Sequence, residues 1–395
     1  MFNFDEFNYL EYKDDGILSF DADFEYGTIG NLVRLGKDWY SIVLRENTWY
    51  RFYFRIKGCK NREIIFDFDC PDTLEKDCSA GNVRWQFAEG FNRPYISYNG
   101  TDWERVTKIE RVHTYFGKYR FNHFFKEDEA FISFNIPYTY SDLMRWLKGL
   151  SKEKIVSIES IGKTRNGISQ PAITITNNPN TKDMVVIIGR EDADEVGGSF
   201  GIEGLVDYLL NEGKQLLDDF VFKIVPMVGI DGVVAGATFS AGYGYSGYNW
   251  INGSAPKEIQ NVIDAIHQWV DDGMRIKFAG KLHGASYPNV TKGLDDIIAC
   301  NQLVLDTLRK GVSEFYNGTW VPGSYNEDLR WEQNLNTISI RDKGYFERFI
   351  MDDFGIDFVF GTHILEEQPE DTRNGGKAIM HGVELFLNKL HRSSC

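Results

Sequence analysis

The chain has 395 residues, 42% of them hydrophobic and 26% charged, a length and balance that accommodate two globular cores. Its 58 Asp and Glu against 43 Lys and Arg leave a net charge of -15, which excludes nucleic acid as a partner, because phosphate-backbone binders displace counterions with a basic stripe. No run of about 18 apolar residues occurs, and the opening MFNFDEFNYLEYKDDG is acidic where a leader would be basic and then apolar. The sequence therefore predicts a cytoplasmic protein with no membrane partner. Cys59, Cys70, Cys78, Cys300 and Cys395 contain no CxxC pair and are expected to be reduced thiols.

In chain order, the stretch from Leu18 to Pro137 reads as short alternating strands separated by turn residues. Tyr50 to Ile56 (YRFYFRI) sets an apolar face against one carrying two arginines, as a half-buried antiparallel strand does. Ile64 to Cys70 (IIFDFDC) and Glu129 to Ile136 (EAFISFNI) repeat the period, so a small antiparallel β-sandwich is expected over residues 1–137. Its many aromatics serve either as a sugar- or peptide-binding face or as packing.

Ser141 followed by Leu143, Trp146, Leu147 and Leu150 predicts a capped helix that opens a second domain, residues 138–395. Strands are expected at Ala172–Thr176, Met184–Gly189, Val221–Val228, Lys277–His283 and Phe358–Leu365. Helices are expected at Val196–Leu210, Lys257–Val270 and Lys377–Leu390. MVVIIG at Met184–Gly189 is a continuous apolar run, as in a strand buried on both faces. The alternation predicts an α/β domain, a mixed sheet flanked by helices, with functional groups at the strand ends.

Polar residues gather at three such ends. Gly189-Arg190-Glu191-Asp192-Ala193-Asp194-Glu195 lies between a strand and a helix, and Asp192 and Glu195 are spaced to converge on a metal, or simply to favour a helix N-terminus. His283, at a strand end before Gly284, is a ligand or a hydrogen-bonded structural histidine. His363, followed by Glu366 and Glu367, offers a base or a further ligand, or else an ordinary acidic turn.

Several segments together resemble the zinc carboxypeptidase superfamily, and in particular its cytosolic carboxypeptidase branch. They are FDADFEYGTIGN at Phe20–Asn31, Trp49 to Ile56, Ile136-Pro137-Tyr138-Thr139-Tyr140-Ser141-Asp142-Leu143, Gly162 to Gly167, Gly204 to Leu210, Lys223 to Met227, Asp231-Gly232-Val233 and Leu282-His283-Gly284. The resemblance implies a carboxypeptidase-like mixed sheet preceded by the β domain. It also implies a zinc held by His-x-x-Glu and a second His, Arg and Asn groups gripping a terminal carboxylate, and a Glu that activates water. On it, Glu195 and His283 match two metal ligands and Asp192 stands where the first histidine would be. A carboxylate can ligate zinc but shifts preference toward harder ions, so Mn or Fe stays open beside Zn.

The substrate grip departs further from the family. Gly229-Ile230 replaces its Asn-Pro, the expected Asn-Arg pair falls near Gly247-Tyr248 in GYGYSGYNW, and no arginine occurs between Arg190 and Arg275. Without a guanidinium there is no bidentate carboxylate clamp. The catalytic glutamate's place is taken by His363 without gaps, or by Glu366 with a short insertion. Two readings follow. One is a divergent metal-dependent hydrolase of a peptide or small amide substrate, with Tyr243, Tyr245 and Tyr248 lining its pocket. The other is an inactive carboxypeptidase-like scaffold.

Overall fold

The computed structural model of the chain describes residues 12–14, 18–43, 51–69, 93–107, 110–113, 118–238, 249–285, 294–320, 345–365 and 368–394. Two compact units emerge, Met1–Thr139 with Gly232–Ala241 and Ser286–Pro288, and Tyr140–Asp231 with Gly242–Ala285 and Asn289–Cys395.

The first unit contains two sheets. One has six strands in the order Tyr12–Asp14, Leu18–Asp21, Tyr53–Lys57, Glu129–Ser133, Tyr95–Ser97, Glu104–Arg105. The other has five, Asn31–Gly36, Trp39–Val43, Arg62–Asp69, Lys118–Phe125, Glu110–His113. All pairs are antiparallel except Trp39–Val43 with Arg62–Asp69. The inward residues of alternating strands meet in one aromatic core, in which Phe66 lies 5.1 Å from Phe121 and Phe20 lies 4.9 Å from Tyr40 between ring centroids. The aromatics of that core are packing residues.

Two details depart from the alternation. Arg51, expected on a polar face, is 1% exposed. Its guanidinium lies 3.3 Å from the Tyr26 ring centroid and donates to Tyr26 O at 2.8 Å and Ala237 O at 3.5 Å. Asp67 is likewise buried, accepting from Arg120 Nε at 2.6 Å and Trp39 Nε1 at 3.1 Å. Both charges are tolerated inside because each is paired or hydrogen-bonded.

The second unit is built on a seven-stranded sheet, in the order Val156–Lys163, Ser169–Ile175, Val221–Val225, Asp183–Gly189, Arg275–Ala285, Val359–Leu365, Leu294–Ala299. The four central strands are mutually parallel and the outer pairings antiparallel, which makes the sheet mixed. Met184, Val186 and Ile188 pack with Ile259, Val262 and Ile266 of the helix Lys257–Asp271 and with Phe346 and Ile350 of the helix Phe346–Phe354. On the opposite face, Phe278 stacks 5.4 Å from Phe360 and lies 5.1 Å from the tilted ring of Phe386 in the helix Pro369–Ser394. Helices thus cover both faces, and the strand Asp183–Gly189 is buried on both, as its unbroken apolar run requires.

The strand expected to reach Val228 stops at Val225, because Pro226 offers no N–H to the ladder. Cys59 and Cys300 are free thiols, and burial pushes both up to about 12, far from nucleophilic. Among the described residues no helix is long and apolar enough to cross a membrane.

Candidate metal centre

The centre lies at the carboxyl ends of three adjacent parallel strands, where open α/β sheets gather ligands. Register aligns Gly189 with Leu282 and His283 with His363, so the loop after Gly189 emerges beside both histidines. That loop turns sharply at Arg190, which holds φ 54, left-handed backbone that costs a non-glycine residue of order 1 kcal/mol. The turn is fixed by Arg190's own buried guanidinium, which donates to Ala193 O at 2.9 and 2.7 Å and to Ser199 Oγ at 3.2 Å.

The helix Val196–Leu210 then begins almost in contact with the strand ends. A Cβ on Gly197 would sit 2.3 Å from Ile364 O and 2.8 Å from Gly284 Cα, and one on Gly198 2.6 Å from Leu282 O. Only glycine permits this approach, and the approach delivers Glu195 to His283. Glu195 occupies the N-cap position, yet its side chain makes no capping hydrogen bond. It lies 2.7 Å from His283 Nδ1 through Oε2, which also accepts from Gly284 N at 3.1 Å. Helix capping, the plain alternative for this acidic cluster, does not describe Glu195.

Asp192, Glu195 and His283 each offer a ligand atom, all within 4.8 Å of one another. Asp192 is 4% exposed, its Oδ2 lies 3.9 Å from His283 Nδ1, and its Oδ1 accepts no hydrogen bond among the described residues. A buried carboxylate oxygen without a donor is costly unless a proton or a cation comes to it. Burial, reinforced by Glu195, Glu191 and Asp194, drives the Asp192 carboxyl well above the usual carboxylate range. Burial and the Lys281 ammonium hold His283 down to about 4, so its imidazole is neutral with a lone pair to give. This donor set fits a divalent cation, with one imidazole and two carboxylates as in known sites of the borderline and harder metals.

His363 stands beside the cluster with its ring centroid 5.4 Å from that of His283. Burial, together with His283 and Lys281, presses it down to about 3. Glu366, Tyr243, Tyr245 and Tyr248 lie outside the described residues. Four further participants are not marked by spacing alone. Glu191 is fully buried, Lys281 Nζ lies 3.1 Å from Glu191 Oε2 and 3.4 Å from Glu347 Oε2, and Trp250 Nε1 donates to Glu191 Oε1. Burial alone would raise Glu191, but Lys281, His283 and Trp250 outweigh it and hold the carboxylate low. The one signal in the sequence is Lys281, two residues before His283 and directly after the apolar Phe278-Ala279-Gly280, a spacing that puts both on the same face.

Residues 143–277 match the family model described as zinc carboxypeptidase. Cytosolic carboxypeptidase 3 of Bos taurus is 29% identical over 256 residues, covering 56% of this chain and 24% of that protein. Cytosolic carboxypeptidase 2 of Homo sapiens is 26% identical over 260 residues, covering 58% of this chain and 28% of that protein. The chain therefore spans about a quarter of the length of these two relatives. A solved metallo-carboxypeptidase from Burkholderia cenocepacia superposes with a TM-score of 0.73 at 19% identity, covering 94% of this chain and 100% of that one. At that identity the superposition establishes the fold, including the N-terminal sheets.

Proposed function

Starting from a chain that belongs to the zinc carboxypeptidase family, with distant homology to the cytosolic carboxypeptidases, we infer a divergent metal-dependent hydrolase of peptide-like amides. The observation that carries this reading is the convergence of Asp192, Glu195 and His283 around a buried, donorless carboxylate oxygen. These three residues would hold zinc, or manganese or iron in its place. A divalent cation bound there supplies Lewis-acid polarisation of a carbonyl.

The chain's own groups do the rest. Glu195 and the backbone N–H of Gly284 fix one ligand, and the Gly197 contact sets its distance from the strand ends. His363, its ring beside that of His283, is one candidate for acid–base work by its place, although burial keeps it neutral and weakly basic, and Glu366 is the other. Tyr243, Tyr245 and Tyr248 are assigned to the substrate side. The absence of arginine between Arg190 and Arg275 supports recognition that does not depend on a free C-terminal carboxylate.

The test is hydrolysis of a peptide panel by zinc-loaded protein, each peptide offered with a free and with an amidated C-terminus. The expected result is cleavage of both forms, abolished by chelator and restored by zinc. A strict need for the free carboxylate would indicate ordinary carboxypeptidase action. Metal binding without any hydrolysis would favour the scaffold reading, which draws on the joint replacement of the first histidine ligand and of the clamp.

A further inference from the structure

His283 presents its two ring nitrogens to different carboxylates. Nδ1 faces Glu195 Oε2 at 2.7 Å and Asp192 Oδ2 at 3.9 Å, while Nε2 faces Glu191 Oε2 at 3.6 Å. A neutral imidazole carries one N–H. If Nδ1 holds it, the ring hydrogen-bonds to Glu195 and has no lone pair for a metal on that side. If Nε2 holds it, Nδ1 is free to ligate, and Glu191 is the acceptor in place.

We propose that Glu191 is a positioning residue, the outer carboxylate of a carboxylate–histidine–metal arrangement that keeps the proton of His283 on Nε2 and so turns Nδ1 toward the metal. The inference rests on the metal site proposed above. Metal-bound histidines almost always donate their second N–H to such a partner, which fixes tautomer and ring orientation. The 3.6 Å separation lies just beyond hydrogen-bond length, and a small rotation of the ring closes it. With a cation held by Asp192, Glu195 and Nδ1, the single N–H of the neutral ring would sit on Nε2, where it faces Glu191, and the Nδ1 side of the 2.7 Å contact would carry no proton.

Glu191 is unusually well held for this duty. It is 0% exposed, Trp250 Nε1 donates to one oxygen, and Lys281, itself 4% exposed, lies 3.1 Å from the other. A buried Lys–Glu pair contributes little net stability, since desolvating both ions offsets their attraction. Its place directly behind a ligand histidine gives the pair a purpose that stability does not. Lys281 and His283, two apart on one strand, share a face, so the lysine fixes the carboxylate against the ring from beneath.

The competing account is that Glu191 is only the counter-ion of Lys281. The variant Glu191→Gln with Lys281→Met and Glu347→Gln separates the two, because it removes the buried lysine together with both carboxylates it pairs with and leaves neither of them without its counter-ion. Zn2+ affinity is read by chelator competition, and Co2+ serves as a spectroscopic probe. The expected result is a metal-free melting temperature close to that of the unaltered chain, Zn2+ affinity lower by about 10- to 100-fold, and a displaced Co2+ visible band. Unchanged affinity and an unchanged band would overturn the proposal. Nitrogen NMR of the zinc-loaded natural chain reads the tautomer without any substitution. Nε2–H with metal on Nδ1 supports the assignment, and Nδ1–H with metal on Nε2 contradicts it. Failure of the natural chain to take up either metal would overturn the metal-site reading and this inference with it, an outcome distinct from loss of the Glu191 effect alone.

Discussion

Asp192→Ala is expected to remove metal uptake, with affinity falling by more than about 100-fold, beyond the 10- to 100-fold typical of outer-shell partners, while the metal-free protein becomes as stable as the natural chain or more so. Asp192 is buried, its Oδ1 lacks a donor among the described residues, and Glu195, Glu191 and Asp194 all oppose its charge. Without a cation the residue is a burden on the fold, and alanine relieves it. The sign of the pH dependence follows. A carboxyl whose folded pKa is raised contributes stability below its unfolded pKa and loses it as pH rises through the folded value. The gain from alanine should therefore be larger at pH 7 than at about pH 4, near the ordinary carboxylate range. Urea unfolding of the metal-free proteins at the two pH values checks this, and metal titration checks the affinity. Asp192→His, which restores an imidazole, should bind zinc and discriminate against manganese more sharply than the natural chain, since imidazole is the softer ligand.

Gly204→Ala and Gly376→Ala should each destabilise the second unit by about 3 kcal/mol or more, at the upper end of ordinary overpacking. The helices Val196–Leu210 and Pro369–Ser394 cross with their backbones nearly touching. A Cβ on Gly204 would lie 1.9 Å from Arg373 O, and one on Gly376 1.9 Å from Gly201 O. Those neighbours are backbone atoms, which cannot rotate aside as a side chain can, so the helices must separate. Because Glu195 stands at the first helix's N-terminus and is one of the three candidate ligands, the displacement should also weaken metal binding. Gly149 is the control. It lies exposed in the helix Tyr140–Leu150, a Cβ there meets nothing within 4 Å, and Gly149→Ala should be neutral or stabilising by about 0.5–1 kcal/mol. Denaturant midpoints of the three variants provide the comparison.

The parts of this fold that were readable in the sequence are those whose pattern is local. MVVIIG announces a strand covered on both faces, and the helix at Val196–Leu210 has the bounds its composition suggests. The edge strand Val156–Lys163 escaped notice because its residues alternate between partial burial and solvent with no sustained apolar side. The strand Leu294–Ala299 and the helices Gln302–Phe315 and Phe346–Phe354 are likewise not among the elements expected from the sequence, although both helices carry apolar residues at helical spacing. Arg51 and Asp67 looked like solvent-facing charges because alternation reveals the side of a strand and not what covers it.

At the centre, Asp192, Glu195 and His283 were legible as strand-end polar residues, and the fold brings them together. Glu191 was hidden by its neighbour, since adjacent carboxylates in a loop carry no mark of which one turns inward. Here the difference is made by the left-handed backbone at Arg190 and by Lys281, Trp250 and Glu347, residues far apart in the chain.

Anomalous diffraction from crystals of the natural chain grown with zinc tests the metal centre most directly. A single strong anomalous peak is predicted within coordination distance of Asp192, Glu195 and His283, and it should be absent from Asp192→Ala crystals grown in the same way. No peak at that position, or one that persists undiminished without the aspartate, would contradict the account.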